Sequence, residues 1–495
     1  RDDVQMTSKR HPFQMHYKIG VTKEGKLISA DIQLEENAGA YATLSSVVSY
    51  RAAMQSMGPY VIPNIRVKST SYYTNLPPAG AFRGFGSPQA TFGHERIMDI
   101  IAEKLGLDPV EFRLKNIVKL GDTTLTNHKL TASVGAEETI RQARKAANWT
   151  EQRQNNNSSE RYVEGMGIAT SHYGNCLGAA GWSMDGAEVK IQIHPDGSIT
   201  VAFGLVEMGQ GALTVVAQMT ADALGVSMDR ISVLPTDSRN VQDSGPSVAS
   251  RVIVMTGNAI LDAAKKMLPT LKSAGAELLE CNAQNVEIKD DFAVNKQSGA
   301  KVSFDELANY LFTSKRTTDI LGWWHVPPLK YDPESGTGEA YFTYSYATQI
   351  AKVKVDILTG QVKVEKIWAA HDVGKAINPA GIEGQVEGGI AQGTGWALME
   401  DFKIQDGVVI TSNLSTYLLP TTMDVADVET IIIEDPEPQG PWGAKGIGEP
   451  TIIPTASAIA NAVSHAIGVP MNELPMTPEK VLNAIQTKHQ NAAIR

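Results

Sequence analysis

A few short segments hold the residues whose types and spacing could do chemistry. Glu449 closes a glycine-rich run, Gly443-Ala444-Lys445-Gly446-Ile447-Gly448-Glu449-Pro450, directly ahead of a stretch read as a helix from near Thr451. Gly209-Gln210-Gly211 precedes a helix expected from near Ala212, and Asp243-Ser244-Gly245-Pro246-Ser247 precedes one expected from near Ala249. A helix N-terminus offers unpaired backbone N–H groups and the positive end of a dipole. Glycine lets a ligand approach the backbone closely. Three such loops could converge on one anionic, hydrogen-bond-rich cofactor. Taken singly, each loop is explained as well by an ordinary tight connection. Glu449, with Pro450 read at the first helical position, has two readings of its own. It stabilises a helix dipole, the reading the residues alone favour, or it is a general base whose proton affinity is tuned by burial.

Other motifs exclude more than they offer. There is no G-x-x-x-x-G-K-[ST] and no G-x-G-x-x-G between a strand and a helix, so neither a P-loop nor a nicotinamide Rossmann site is supported. No His/Asp/Glu cluster has zinc-ligand spacing. His371-Asp372-Val373-Gly374 follows a strand and has the look of an acid–base pair; it is read as a turn with a structural role. Cys176 lacks a patterned His partner.

These residues need a scaffold. Alternating strands at 17–22 and 26–36 flank Lys23-Glu24-Gly25, a hairpin pattern. Like pairs recur at 187–193 and 199–204 around Pro195-Asp196-Gly197, and at 350–357 and 361–369 around Leu358-Thr359-Gly360. Three such pairs suggest a duplicated α+β unit. Helical periodicity marks a helix through Phe92, Ile97, Ile100, Ile101 and Leu105, closed by Gly106, and a short one over 109–116. Further helices are expected at 212–224, 251–280, 383–399, 451–467 and 478–486. The run 150–161, TEQRQNNNSSER, has no large apolar residue and reads as a solvated linker. The expected division is 1–150, a linker at 151–161, and 162–495.

Composition bounds the class. The 495 residues suggest about three domain-sized units at roughly 150 residues each, and large two-domain architectures are also allowed. A hydrophobic content of 42% can fill a sizeable core. The net charge of −10 argues against a nucleic-acid binder and a polybasic membrane anchor. No uninterrupted apolar run approaches the roughly 20 residues that span a bilayer. Two cysteines exclude a four-thiolate iron–sulfur cluster within this chain and point to a reducing, cytoplasmic setting.

Five segments taken together carry a family signature: AFRGFGSPQ (81–89), VEMGQG (206–211), DSGPSVASR (243–251), GQVEGGIAQG (384–393) and GAKGIGEP (443–450). In order and spacing they resemble the molybdopterin-binding subunit of the xanthine dehydrogenase/xanthine oxidase family, over essentially the whole chain. The resemblance implies an elongated two-domain molybdopterin-binding fold of mixed sheets and helices, class α+β. It implies molybdenum held through the pterin dithiolene rather than by side chains, often as a cytosine dinucleotide form in bacteria. By similarity Arg83, Met208, Gly209, Gln210, Ala249, Ser250 and Gln385 contact the cofactor. Arginine supplies fixed positive charge, and glutamine amides donate to oxo ligands or the pterin edge. GAKGIGEP places Glu449 on the general base, which takes a proton from a hydroxyl on the metal. Phe85 would stack on a flat substrate ring. Arg51, 32 positions before Arg83, falls on a substrate-binding arginine of purine-oxidising members.

Departures narrow the reading. Where purine oxidisers carry a second stacking Phe, Gly167-Ile168-Ala169 leads to Thr170, Ser171, His172 and Tyr173; Ser171 keeps a hydroxyl on the site, and the second aromatic is missing or displaced to Tyr173. An upstream stretch of relatives, with another glycine-rich cofactor loop and a second active-site glutamate, is not found here, so a separate polypeptide is expected to complete the site. The function expected is hydroxylation of an N-heteroaromatic substrate, a purine or a nicotinate-like acid, with oxygen from water. Electrons would pass to partner chains carrying 2Fe-2S clusters and FAD. The alternatives are an aldehyde oxidoreductase subunit and, outside catalysis, a cofactor-binding or assembly subunit of a split enzyme.

Overall fold

The computed structural model describes residues 2–154, 159 and 161–493. Its architecture is α+β, and one unit recurs three times: a β-hairpin, a helix, and a strand that returns parallel to the second hairpin strand. In the first, Phe13–Val21 pairs antiparallel with Leu27–Gly39, and the helix Ser45–Met54 leads to Asn64–Tyr73 alongside. In the second, Gly186–Ile193 and Ile199–Phe203 are followed by the helix Ala212–Leu224 and the strand Ile231–Val233. In the third, Thr343–Asp356 and Val362–Asp372 are followed by the helix Pro379–Leu398 and the strand Asp427–Ile433. A hairpin needs only a tight turn, whereas a parallel return needs a crossover, which the helix supplies. The repeat expected from three similar hairpins is therefore real and extends beyond the hairpins.

The strand Tyr162–Asn175 pairs antiparallel with Thr343–Asp356, completing a four-stranded sheet. From Gly165 onward it is buried on both faces. The helix Thr455–Ile467 lies against it. A Cβ at Gly165 would come within 2.2 Å of the Ala462 carbonyl oxygen, and one at Gly167 within 2.1 Å of the Ala462 nitrogen. Glycines in the strand and alanines 456, 458, 460 and 462 in the helix make this close contact possible. The far end of the same strand carries Ser171 and Tyr173.

One apolar core runs from Leu27, Tyr60, Phe112 and Trp149 into Met166, Ile168, Tyr346 and Trp368 of this sheet. A buried polar network crosses the same seam. Glu95 accepts hydrogen bonds from the Tyr60 hydroxyl (2.6 Å), Arg113 Nε (2.8 Å) and the Thr170 amide (2.8 Å). Arg113 also pairs with Asp99 at 2.7 Å. Burial pushes the Glu95 carboxyl up, and Arg113 and Tyr60 oppose the rise.

The helices at 109–116 and 212–224 fall where periodicity puts them. Two site-bearing starts do not. The helix expected from Thr451 begins at Thr455, so Pro450 is not its first residue. The reason is Pro454, which has no amide hydrogen to donate to the Pro450 carbonyl; the chain from Glu449 to Thr455 closes instead by i→i+3 turns, Ile452 to Glu449, Ile453 to Pro450 and Thr455 to Ile452. The helix expected near Ala249 begins at Val252, because Ala249 and Ser250 hold positive φ of 55° and 51°. At the expected linker, Trp149–Gln154 forms a short helix; residues 155–158 and 160 lie outside the described residues. Among the described residues no helix is long and apolar enough to cross a membrane.

Replacing Arg113 by Met would leave Glu95 buried without its cation. The expected loss of stability is about 3–5 kcal/mol, read as a shift of the urea unfolding midpoint.

Candidate active site

The segments singled out by sequence meet at Glu449. Its Oε2 accepts from the Tyr173 hydroxyl at 2.5 Å and from Ser250 Oγ at 3.3 Å, while Oε1 accepts from the Gly84 amide at 3.3 Å. The Glu449 amide in turn donates to Ser250 Oγ at 2.9 Å. The donors thus come from the 81–89 loop, the strand Tyr162–Asn175 and the 243–251 loop. With the helix starting only at Thr455, Glu449 does not cap a dipole; it is solvated by other parts of the chain.

Two buried ion pairs hold the loops in place. Lys445 Nζ pairs with Asp372 at 2.6 Å, both fully buried, and the Lys445 amide donates to the Val373 carbonyl. His371 beside it is buried, which lowers its pKa to about 3, so it stays neutral; His371 and Asp372 are not a turn but the end of the strand Val362–Asp372, paired with Ile432 and Ile433. Arg251 pairs with Asp185 at 2.9 Å and donates to the carbonyls of Met184, Gly186, Ser244 and Pro246. It pins the 243–251 loop to the start of a strand, a role that residue type alone did not reveal. The two loops touch backbone to backbone: a Cβ on Gly446 would sit 1.8 Å from the Ser250 carbonyl oxygen.

Arg83 ties in a third loop and a helix. It donates to the Gly448 carbonyl (2.6 Å), the Gln385 side-chain oxygen (2.9 Å) and the Gln392 side-chain oxygen (3.1 Å). Gln392 was not among the sequence candidates. The acceptors are neutral, and burial lowers the Arg83 pKa, with Glu449 pulling against it. A half-buried cation held by neutral oxygens suits an anionic ligand better than a structural ion pair.

Arg51 is not the solvated charge its type suggests. It is 1% exposed and its guanidinium lies 4.6, 4.5 and 4.7 Å from the ring centroids of Phe85, Tyr173 and Tyr341. It donates to the carbonyls of Gly174 (2.7 Å) and Cys176 (2.9 Å). Phe85 is itself buried, beside Val48 and Ala249. Ser171 is buried two residues before Tyr173, on the same strand face, and it is Tyr173 that reaches Glu449.

The Met208-Gly209-Gln210 loop stands apart from Glu449. It joins the others through the Val206 amide, which donates to Ser247 Oγ at 2.7 Å. Met208 is 65% exposed, and Gln210 folds back onto Met208 and Val206 of its own loop. The helix N-terminus is capped by Glu207, whose carboxylate accepts from the amides of Gly209 (2.7 Å), Gly211 (3.0 Å) and Leu213 (3.1 Å). An acidic residue ahead of a first turn was the available signal for that cap. Beside Gly209, Gly211, Gly384 and Gly388 nothing lies within 4 Å of where a Cβ would be, so these backbones face open space. Open glycine faces and an Arg83 whose hydrogen-bond acceptors are neutral fit a large anionic cofactor. Among the described residues no group of three His, Cys, Asp or Glu is placed to hold a metal directly.

The sequence pattern of a family described as "Molybdopterin cofactor-binding domain" matches residues 142–426, and a second domain of that description matches 1–117. The chain belongs to the molybdopterin cofactor-binding domain family. It is 35% identical over 489 residues, 99% of this chain, to a probable xanthine dehydrogenase subunit from Bacillus subtilis. Its fold superposes on quinoline 2-oxidoreductase from Pseudomonas putida 86 with a TM-score of 0.89, 25% identity and 98% of this chain covered. The aldehyde oxidoreductase of Desulfovibrio gigas gives 0.84, 31% and 97%. Each of these similarities runs over nearly the whole of this chain. The chain spans 64% of the Bacillus protein, 63% of the quinoline enzyme's chain and 50% of the aldehyde enzyme.

Gly446→Ala would force the Glu449 loop off Ser250. The expected cost is about 1–3 kcal/mol, with faster proteolysis of both 243–251 and 443–450 than in the parent.

Proposed function

We propose that this chain is the molybdopterin-binding part of a molybdenum hydroxylase acting on an N-heteroaromatic substrate, with Glu449 as general base. One observation carries the reading: a carboxylate held by three separate chain segments next to Arg83, a cation whose acceptors are neutral. The bound cofactor supplies two-electron redox chemistry, with oxygen drawn from water. Arg83, Gln385, Ala249 and Ser250 hold the cofactor from one side, and Met208, Gly209 and Gln210 from the other. Glu449 takes up the proton that the water-derived oxygen releases as it adds to an electron-poor ring carbon. Its three donors hold it in one orientation for that transfer. Phe85 offers a ring edge to a flat substrate, and Ser171 a hydroxyl.

Similarity to quinoline 2-oxidoreductase supports a ring-nitrogen heterocycle as substrate. Phe82, Val206, Met208 and Val248 are exposed apolar side chains on the site-bearing loops. Such a rim suits covering by further polypeptide, which on this reading completes the cofactor site. Chains with iron–sulfur and flavin groups then take the electrons, in a cytoplasmic setting. The division at 151–161 separates the two cofactor-binding domains.

Glu449→Gln in the assembled complex should keep molybdenum at the parent stoichiometry, measured by metal analysis, and lose turnover by about 10²–10⁴-fold. Unchanged turnover removes Glu449 from the chemistry and leaves an assembly role. The substrate panel is xanthine, nicotinate, quinoline and an aromatic aldehyde; turnover confined to the aldehyde contradicts the heteroaromatic assignment.

A further inference from the structure

Arg51 and Tyr173 form a unit with Glu449 that neither a substrate role nor a packing role explains. The Arg51 guanidinium is enclosed by three aromatic rings, and two of its nitrogens are committed to the Gly174 and Cys176 carbonyls. The Gly174 carbonyl follows Tyr173 on its own strand, and the Cys176 carbonyl lies one residue past the strand's end. The arginine therefore grips the backbone beyond Tyr173 and stacks on its ring at the same time. On the ring's other end the hydroxyl donates to Glu449 Oε2 at 2.5 Å.

We propose that Tyr173 is a positioning residue for Glu449, and that Arg51 serves the site by holding Tyr173 rather than by binding substrate. This rests on Glu449 being the base. A cation over a phenol ring draws electron density from it and makes the O–H a stronger donor. A stronger donor fixes the carboxylate's direction. The charged and titratable groups facing Glu449 are Tyr173, Arg51 and Arg83. Burial pushes the Tyr173 phenol well above its usual range, with Arg51 opposing and Glu449 adding to the rise, so it remains a donor throughout the working pH range.

The test is infrared spectroscopy on the purified, substrate-free chain, with the Glu449 carboxylate band assigned by its loss in Glu449→Gln. Tyr173→Phe is expected to move that band, and Arg51→Met to move it in the same direction, with Arg51→Lys partly restoring it. In the assembled enzyme, Tyr173→Phe should lower kcat/KM by roughly 10- to 100-fold. If Tyr173→Phe does not fold, 3-fluorotyrosine at position 173 keeps ring and hydroxyl, strengthens the donor, and must move the band the opposite way. A band unmoved in Tyr173→Phe or in the fluorotyrosine protein overturns the tyrosine role. An Arg51→Met protein whose band stays put while only KM rises overturns the arginine role and restores it as a substrate ligand. The infrared readout needs no turnover, so it fails or stands separately from the hydroxylase reading.

Discussion

A carboxylate partly shielded from water is held by the donors the chain supplies, and at the half-buried Glu449 those donors come from parts of the chain 199, 276 and 365 positions away. That convergence organises the site. The Gly84 amide is presented by a loop held through Arg83. Ser250 is presented by a loop held through Arg251. The Tyr173 hydroxyl is presented by a strand buried on both faces. An unsatisfied buried polar group costs about 1–3 kcal/mol, and more for a charge. The three presentations are therefore coupled through a single side chain.

The scaffold serves that coupling. Each hairpin-helix-strand unit forms its own small sheet, and the loops between the units converge. The sheet built on Tyr162–Asn175 is the rigid member. Gly165 and Gly167 let the helix Thr455–Ile467 lie directly on it, which fixes the approach of the 443–450 loop just before that helix. The Glu95–Arg113 network locks the N-terminal 117 residues to the same strand through the Thr170 amide. Stability and site geometry thus share residues on one strand.

Much of this was legible in the sequence because it is local. Period-2 alternation and turn glycines located the hairpins, and period-3.6 apolar spacing located most helices. The five loop motifs identified the family, since each is a short contiguous string. What was not legible depends on through-space encounters. Arg51 reads as a substrate-binding arginine in the sequence, and the three rings from residues 85, 173 and 341 that enclose it meet only in the fold. Tyr173 reads as a misplaced aromatic until its hydroxyl meets Glu449. Glu207 was overlooked because the glycines beside it suggest an external anion, whereas the chain supplies its own. The late start of the helix at Thr455 was visible in Pro454, which lacks the amide hydrogen that an earlier α-helical turn needs.

The central claim is that one carboxylate joins three loops, and amide hydrogen exchange in the parent and in Glu449→Ala tests it most directly. The account predicts faster exchange in 81–86, 171–175 and 248–251 together, with Leu27–Gly39 unchanged. Faster exchange confined to the neighbourhood of residue 449 would contradict it.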